Sequence, residues 1–145
     1  MMDPIRYIAN KSSGAQGTAI ASALADLGAS VVFVSGPSTV DTPPNVDLVK
    51  IETGREMYKA VLDELPADVA VFVAAVGDWY FDEVAEQKIK KDNDRSPVLK
   101  FKENPDILRH VSNLKENRPQ LVIGFAAETL SLIHISEPTR RLWIA

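Results

Sequence analysis

Apolar positions along the chain follow two alternating rhythms. From Gly14 to Leu27, Ala19, Ile20, Ala23, Leu24 and Leu27 fall at three- and four-residue steps, which predicts a helix with an alanine-rich face suited to lying close on a sheet. Gly28 then offers the backbone freedom of a C-terminal cap. Ser30–Ser35 is a β-branched and aromatic run, the pattern of a strand covered on both faces, and Gly36-Pro37 ends it. Ser38–Asn45, with its Pro43-Pro44 pair, reads as a surface loop, and Val46–Ile51 alternates as a second strand. Thr53-Gly54-Arg55-Glu56 matches a capping box, followed by a helical stripe at Met57, Val61, Leu62 and Leu65. Asp68–Ala75 is the clearest buried strand. The pattern loosens after Gly77-Asp78-Trp79-Tyr80. Asn104-Pro105-Asp106 predicts another helix start, with Asn104 as cap and Pro105 in the first turn. Ile107, Leu108, Val111 and Leu114 form its apolar face, and Leu121–Phe125 is a last buried strand.

Strands alternating with helices, several of them continuous apolar runs, predict an α/β fold: a Rossmann-like three-layer sandwich with a mostly parallel sheet. Such a sheet normally opens with a strand that feeds the first helix. Here the chain opens in loop-like sequence at Asp3-Pro4, so the sheet is expected to be incomplete. There is no internal repeat. Residues 1–129 read as one domain and 130–145, which lack either period, as a poorly ordered tail.

Composition narrows the function. The 145 residues carry 16 basic and 20 acidic side chains, a net charge of -4, which is no nucleic-acid clamp. No cysteine is present, which excludes a disulfide scaffold, a thiolate zinc site and a cysteine nucleophile, and suits a cytoplasmic protein. No apolar run approaches the roughly 18 residues of a membrane span.

Four segments offer chemistry, each with an ordinary reading beside it. Asn10-Lys11-Ser12-Ser13-Gly14 leads into the first helix, where unpaired amides and the helix dipole make a phosphate cradle; the ordinary reading is a serine cap. Asp78 lies just past the end of a buried strand, where open α/β sheets bind ligands, and could meet a ribose hydroxyl or magnesium; otherwise it is a turn aspartate. Lys88, Lys90, Lys91, Arg95, Lys100 and Lys102 form a basic stretch opposed within it only by Asp92 and Asp94. It is either a solvated loop or a flap that neutralises a polyphosphate. Gly124-Phe125-Ala126-Ala127-Glu128-Thr129 closes the last strand with small residues that would let a flat base approach, or is a plain strand end. His110 reads as a surface residue, and His134 carries no role.

Together these segments resemble one family. Asp3–Gly14, Val34-Ser35-Gly36-Pro37, Ala74–Trp79, Lys88-Ile89-Lys90-Lys91, Asn104-Pro105-Asp106-Ile107 and Gly124–Thr129 occur in the order found in bacterial phosphopantothenate–cysteine ligases (phosphopantothenoylcysteine synthetases). In that family the domain is usually fused to an FMN-dependent decarboxylase, so FMN belongs to the other half. The resemblance implies a ligase that joins 4′-phosphopantothenate to cysteine through an acyl-cytidylate made from CTP, with magnesium bridging the triphosphate. It implies a homodimer of ligase domains acting on small molecules, with no nucleic-acid or membrane partner. It assigns Asn10 to the acyl-cytidylate and Lys88 to the nucleotide from a flap. Ser12 and Gly14 would lie by the phosphates. Asp78, Phe125 and Ala126 match nucleotide-site positions, and Asp78 would reach the metal through the nucleotide. The family also carries a strand and glycine-rich turn before the Asp-Pro, and further elements after the Glu-Thr. Lys11 stands where histidine is common and Trp79 where tyrosine is common. Two other readings stand beside the ligase: a nicotinamide-dependent reductase, which wants a glycine fingerprint and an acid ending the second strand, and an inactive fragment.

Overall fold

The computed structural model describes residues 2, 4–10, 12–83 and 99–125. Its elements run α1 (Ala15–Asp26), β1 (Val32–Ser35), β2 (Asp47–Lys50), α2 (Gly54–Asp63), β3 (Val69–Phe72), β4 (Trp79–Phe81), β5 (Phe101–Glu103), α3 (Ile107–Ser112) and β6 (Leu121–Gly124). The predicted helices and strands all form, the strands a residue or more shorter than their apolar runs, but the strands read as buried are not. No residue of β1, β3 or β6 is fully buried, and Val32, Val69, Leu121 and Ile123 are exposed, because the paired strands do not join into one covered sheet among the described residues. The expected tail, 130–145, lies outside the described residues.

The strands pair two by two. β1 and β2 are parallel, with Val32 opposite Asp47, and β3 and β6 are parallel, with Val69 opposite Leu121. β4 and β5 are antiparallel, with Trp79 opposite Glu103, a pairing the loosened pattern after Asp78 did not suggest. Met57 of α2 and Ile107 and Val111 of α3 form the core, packed on Val34 of β1, Phe72 of β3 and Val122 of β6. Side chains alternate along a strand, so Phe33 and Val73 face the opposite way. There α1 lies over both: a Cβ on Gly17 would be 3.6 Å from the Phe33 ring and 4.0 Å from Val73. α1 on one side and α2 with α3 on the other therefore bridge β1 and β3, which make no ladder with each other. This is the three-layer α/β arrangement with an incomplete sheet.

Two local expectations change. Ala19, Ala23 and Leu27 are exposed; α1 turns Gly17, Ile20, Ala21 and Leu24 inward instead. The smallest residues of that stripe, Gly17 and Ala21, are what let the helix approach the sheet. Asn104 is not a helix cap. α3 starts at Ile107, Asp106 caps it by accepting from the Arg109 amide at 2.9 Å, and Pro105 precedes the cap rather than entering the first turn.

The α2 start is built as predicted. Thr53 accepts from the Glu56 amide at 3.2 Å, while Glu56 Oε2 accepts from the amides of Glu52 at 2.7 Å and Thr53 at 3.3 Å. The Glu52 amide above all, with that of Thr53, holds the Glu56 carboxyl below its ordinary value. A depressed carboxyl stabilises the fold above its unfolded value, and that contribution is lost as pH falls through the folded one. Thr53→Ala should lower stability by about 1 kcal/mol. In urea unfolding followed between about pH 6 and pH 3, Glu56→Gln should flatten the loss of stability that the parent shows.

Val32 and Val69 are 40% and 46% exposed at the start of β1 and β3, and among the described residues neither strand has a second partner. Unpaired apolar strands invite association. The chain should therefore sediment as concentration-dependent assemblies, and Val69→Lys should shift the distribution toward monomer; a monomeric parent at every concentration would contradict this.

Candidate functional site

The segments leaving β1 and β3 meet Ser13 and Asn10 respectively, which places the carboxyl ends of both strands at one edge. Beyond β1, the Ser38 hydroxyl donates to the Ser13 carbonyl at 3.0 Å, and the Thr39 amide donates to the same oxygen at 3.3 Å. The amides of Gly14 and Ala15 donate to the hydroxyls of Ser12 and Ser13, each at 3.3 Å. Gly14 sits at the N-cap of α1 with φ 79°, and no side chain caps the helix. The first helical backbone bond runs from Thr18 to the Gly14 carbonyl, so the amides of Gln16 and Gly17 have no partner among the described residues. That is the unpaired donor set a phosphate group seeks.

Beyond β3, four successive carbonyls are held by two asparagines. Asn10 Nδ2 donates to the carbonyls of Ala75 at 3.2 Å and Val76 at 3.3 Å. Asn104 donates its Nδ2 to the Gly77 carbonyl at 2.8 Å and its backbone amide to the Asp78 carbonyl at 2.8 Å. Asp78 is exposed at the end of this turn. Beyond β6, the Phe125 amide donates to the Phe72 carbonyl at 2.9 Å, and its ring is 47% exposed at the same edge.

Asn10, Ser12, Gly14, Asp78 and Phe125 are thus gathered along one edge. Lys88 and Ala126 lie outside the described residues. A neighbouring hollow of about 400 Å³, lined by Phe33, Ser35, Pro37, Ser38 and Lys50 among others, adjoins the Ser38 turn but includes neither Asn10 nor Asp78. Among the described residues no three His, Cys, Asp or Glu side chains are grouped to hold a metal. The lone, exposed Asp78 carboxylate suits a magnesium ion that takes its other ligands from phosphate and water, and does not suit a metal held by protein alone.

The basic stretch is less free than its composition implies. Lys102 lies 2.6 Å from Asp82, and Lys100 lies 3.7 Å from Glu83. The Asp82 hydrogen bond pushes the Lys102 ammonium above its ordinary value. Asp82 and Glu83 are far in sequence from the lysines they meet, Lys102 and Lys100, and face them because β4 pairs with β5. Tilted Phe81 and Phe101 rings, 4.8 Å apart, and the Arg55 guanidinium, 4.6 Å over the Tyr80 ring, hold this stem against α2. His110 is a surface residue, its ring edge on Tyr58 at 5.3 Å. Sequence reasoning missed Ser38, which carries no local signature, and misassigned Asn104, whose Asn-Pro-Asp setting imitates a cap.

A family model described as the DNA/pantothenate metabolism flavoprotein C-terminal domain matches residues 1–141. The coenzyme A biosynthesis bifunctional protein CoaBC of Vibrio cholerae is 46% identical over 130 residues, covering 88% of this chain and 32% of the relative. That of Escherichia coli is 46% identical over 131 residues, with the same coverage, and that of Borreliella burgdorferi 37% over 129. The crystal structure of the C-terminal domain of a coenzyme A biosynthesis bifunctional protein CoaBC superposes with a TM-score of 0.77 at 35% identity, over 92% of this chain and 62% of that one. The chain spans about a third of the length of the curated relatives it matches.

Gly14 and Gly28 separate strain from crowding. Both have positive φ, 79° and 89°, but a Cβ on Gly14 would collide with Ser38 Oγ whereas one on Gly28 meets nothing within 4 Å. In chemical unfolding, Gly28→Ala should lose about 1–2 kcal/mol from left-handed backbone alone. Gly14→Ala should lose more and disturb the Ser13–Ser38 contact; equal losses would show that the contact yields freely.

Proposed function

The chain belongs to the DNA/pantothenate metabolism flavoprotein C-terminal domain family, and from that premise we propose that it provides the phosphopantothenate–cysteine ligase part of a coenzyme A biosynthesis protein. The observation that carries this reading is the seating of Asn10 against the turn leaving β3, a few residues before the uncapped start of α1. One side chain and one helix end thereby share the edge where an activated acid would lie.

In the proposed reaction a carboxylate oxygen of 4′-phosphopantothenate attacks the α-phosphorus of CTP. The bond from that phosphorus to the bridging oxygen of pyrophosphate breaks. The cysteine amine then attacks the acyl carbon, loses a proton and expels CMP. The unpaired amides of Gln16 and Gly17 and the dipole of α1 would stabilise phosphate oxygens there. Both N–H directions of the Asn10 amide are spent on backbone carbonyls, which leaves Oδ1 to accept a hydrogen from the incoming amine or orient the acyl group. Asp78 and Phe125 would border the nucleotide, with Ser12 and Gly14 by its phosphates and Ala126 beside its base. Lys88, which lies outside the described residues, would contact the nucleotide. When bound with the nucleotide, magnesium supplies charge neutralisation along the triphosphate. The protein would work in the cytoplasm as a homodimer. FMN would serve only a fused decarboxylase half.

A nicotinamide reductase fits less well. It wants an acid where β1 ends, and Ser35 stands there with its hydroxyl donating to the Gly36 carbonyl at 3.0 Å.

Isotope exchange between pyrophosphate and CTP, dependent on 4′-phosphopantothenate, tests the reading in this chain and in a full-length relative carrying it as a graft. Asn10→Asp should retain exchange and lose transfer to cysteine. Lys88→Gln should slow the first step by tenfold or more, within the usual range for one charged contact in a transition state. NADPH binding without any CTP-dependent chemistry would overturn the proposal.

A further inference from the structure

We propose that Asn104 is a positioning residue that fixes the direction of the Asp78 side chain at the nucleotide edge. The proposal rests on the ligase reading only for what Asp78 meets. The Gly77 carbonyl belongs to the peptide plane preceding Asp78, and the Asp78 carbonyl to the plane following it. Asn104 holds both, through its side-chain Nδ2 and its own amide, each at 2.8 Å. With both planes pinned by one residue, the φ and ψ of Asp78 are set, and with them the line of its Cα–Cβ bond.

The clamp is itself prepared by sequence. Pro105 disfavours helical backbone at Asn104 and keeps it extended, which leaves its amide available to Asp78 and moves the helix cap on to Asp106. Gly54, the first residue of α2, leaves room for the Asn104 amide. A Cβ there would lie 3.3 Å from Asn104 Cγ and 3.0 Å from a Val76 methyl. Asn104 is half-buried, so its amide stays walled in by α2 while Asp78 stands in solvent. Asn10 holds the two preceding carbonyls, of Ala75 and Val76, so the bonds that flank Asp78 itself are those of Asn104.

The test uses the 145-residue chain with Asn104→Ala, Asn104→Asp, Asp78→Asn and the Asn104→Ala, Asp78→Asn double variant. Amide hydrogen exchange in the absence of ligand reads the clamp alone: the residue-104 amide should exchange at least tenfold faster in Asn104→Ala, while the β3 ladder stays protected. Calorimetric titration with magnesium-CTP reads the consequence. Asn104→Ala should weaken binding about five- to tenfold, as one lost hydrogen bond allows, and Asn104→Asp at least as much, because a carboxylate cannot donate to Gly77. In the Asp78→Asn background Asn104→Ala should add nothing, the mark of a residue acting through another. Additive losses, or a lowered melting temperature with unchanged affinity, would overturn the proposal. Unchanged exchange would do the same. A parent chain that does not bind magnesium-CTP refutes the ligase reading instead, and the exchange measurement then decides the clamp.

Discussion

A strand that ends in a turn leaves carbonyls with no ladder to accept for, and buried or crowded carbonyls must find donors. In the turn after β3 the donors come from two asparagines: side-chain amides reach the carbonyls of Ala75, Val76 and Gly77, and the Asn104 backbone amide reaches that of Asp78. Asn10 reaches the turn across 65 residues of sequence and Asn104 across 27. The amino-terminal segment and the entry to α3 are therefore tied to one short stretch, Ala75–Asp78. Because Asn10 is followed within four residues by the N-cap of α1, the same tie sets where that helix end stands relative to the β3 exit. The candidate edge is thus in part a consequence of backbone satisfaction. Among the described residues, that satisfaction leaves over an amide oxygen, two helix amides and a carboxylate for the proposed chemistry.

What could be read from sequence divides along this line. Apolar periodicity, a capping box at Thr53–Glu56 and the apolar runs behind β1, β3 and β6 are local properties, and each predicted its element. The edge itself was legible in Asn10, Ser12, Gly14, Asp78 and Phe125 because their order resembles a family and because ligands favour the carboxyl ends of open sheets. The failures are all nonlocal. The stripe of α1 has alanines on several sides, so periodicity alone could not say which would face inward; Gly17 against Phe33 and Val73 decides it. β4 and β5 are three-residue strands whose partners lie at least twenty positions away, and no short window of sequence contains both. Asn104 obeys a local rule for caps and is overruled by a carbonyl on another loop.

The stem built on β4 and β5 has its own small apolar pair, Phe81 with Phe101, apart from the Met57, Ile107 and Val111 core. Arg55 over Tyr80 links it to the first turn of α2. Since the Asp78 carbonyl accepts from the Asn104 amide and the Asp82 amide donates to the Lys100 carbonyl, the ladder extends past both ends of the assigned strands. The stem and the Asp78 turn are consequently one continuous hydrogen-bonded ribbon.

Charge follows the same division between fixed and available groups. The whole chain is at -4, so a triphosphate is not drawn in by the long-range field, which salt at physiological strength confines to about 8 Å in any case. Attraction has to come from donors at contact distance. On the stem, Lys100 and Lys102 are already matched by Glu83 and Asp82 and bring little net charge to the edge. Under the proposed reading, the basic side chains of Lys88, Lys90, Lys91 and Arg95, which lie outside the described residues, would supply the charge neutralisation, while the unpaired amides of Gln16 and Gly17 would select an anion by geometry. Affinity would then gain most from a ligand long enough to touch both, which would favour a triphosphate over a monophosphate such as CMP, the direction the proposed ligation needs.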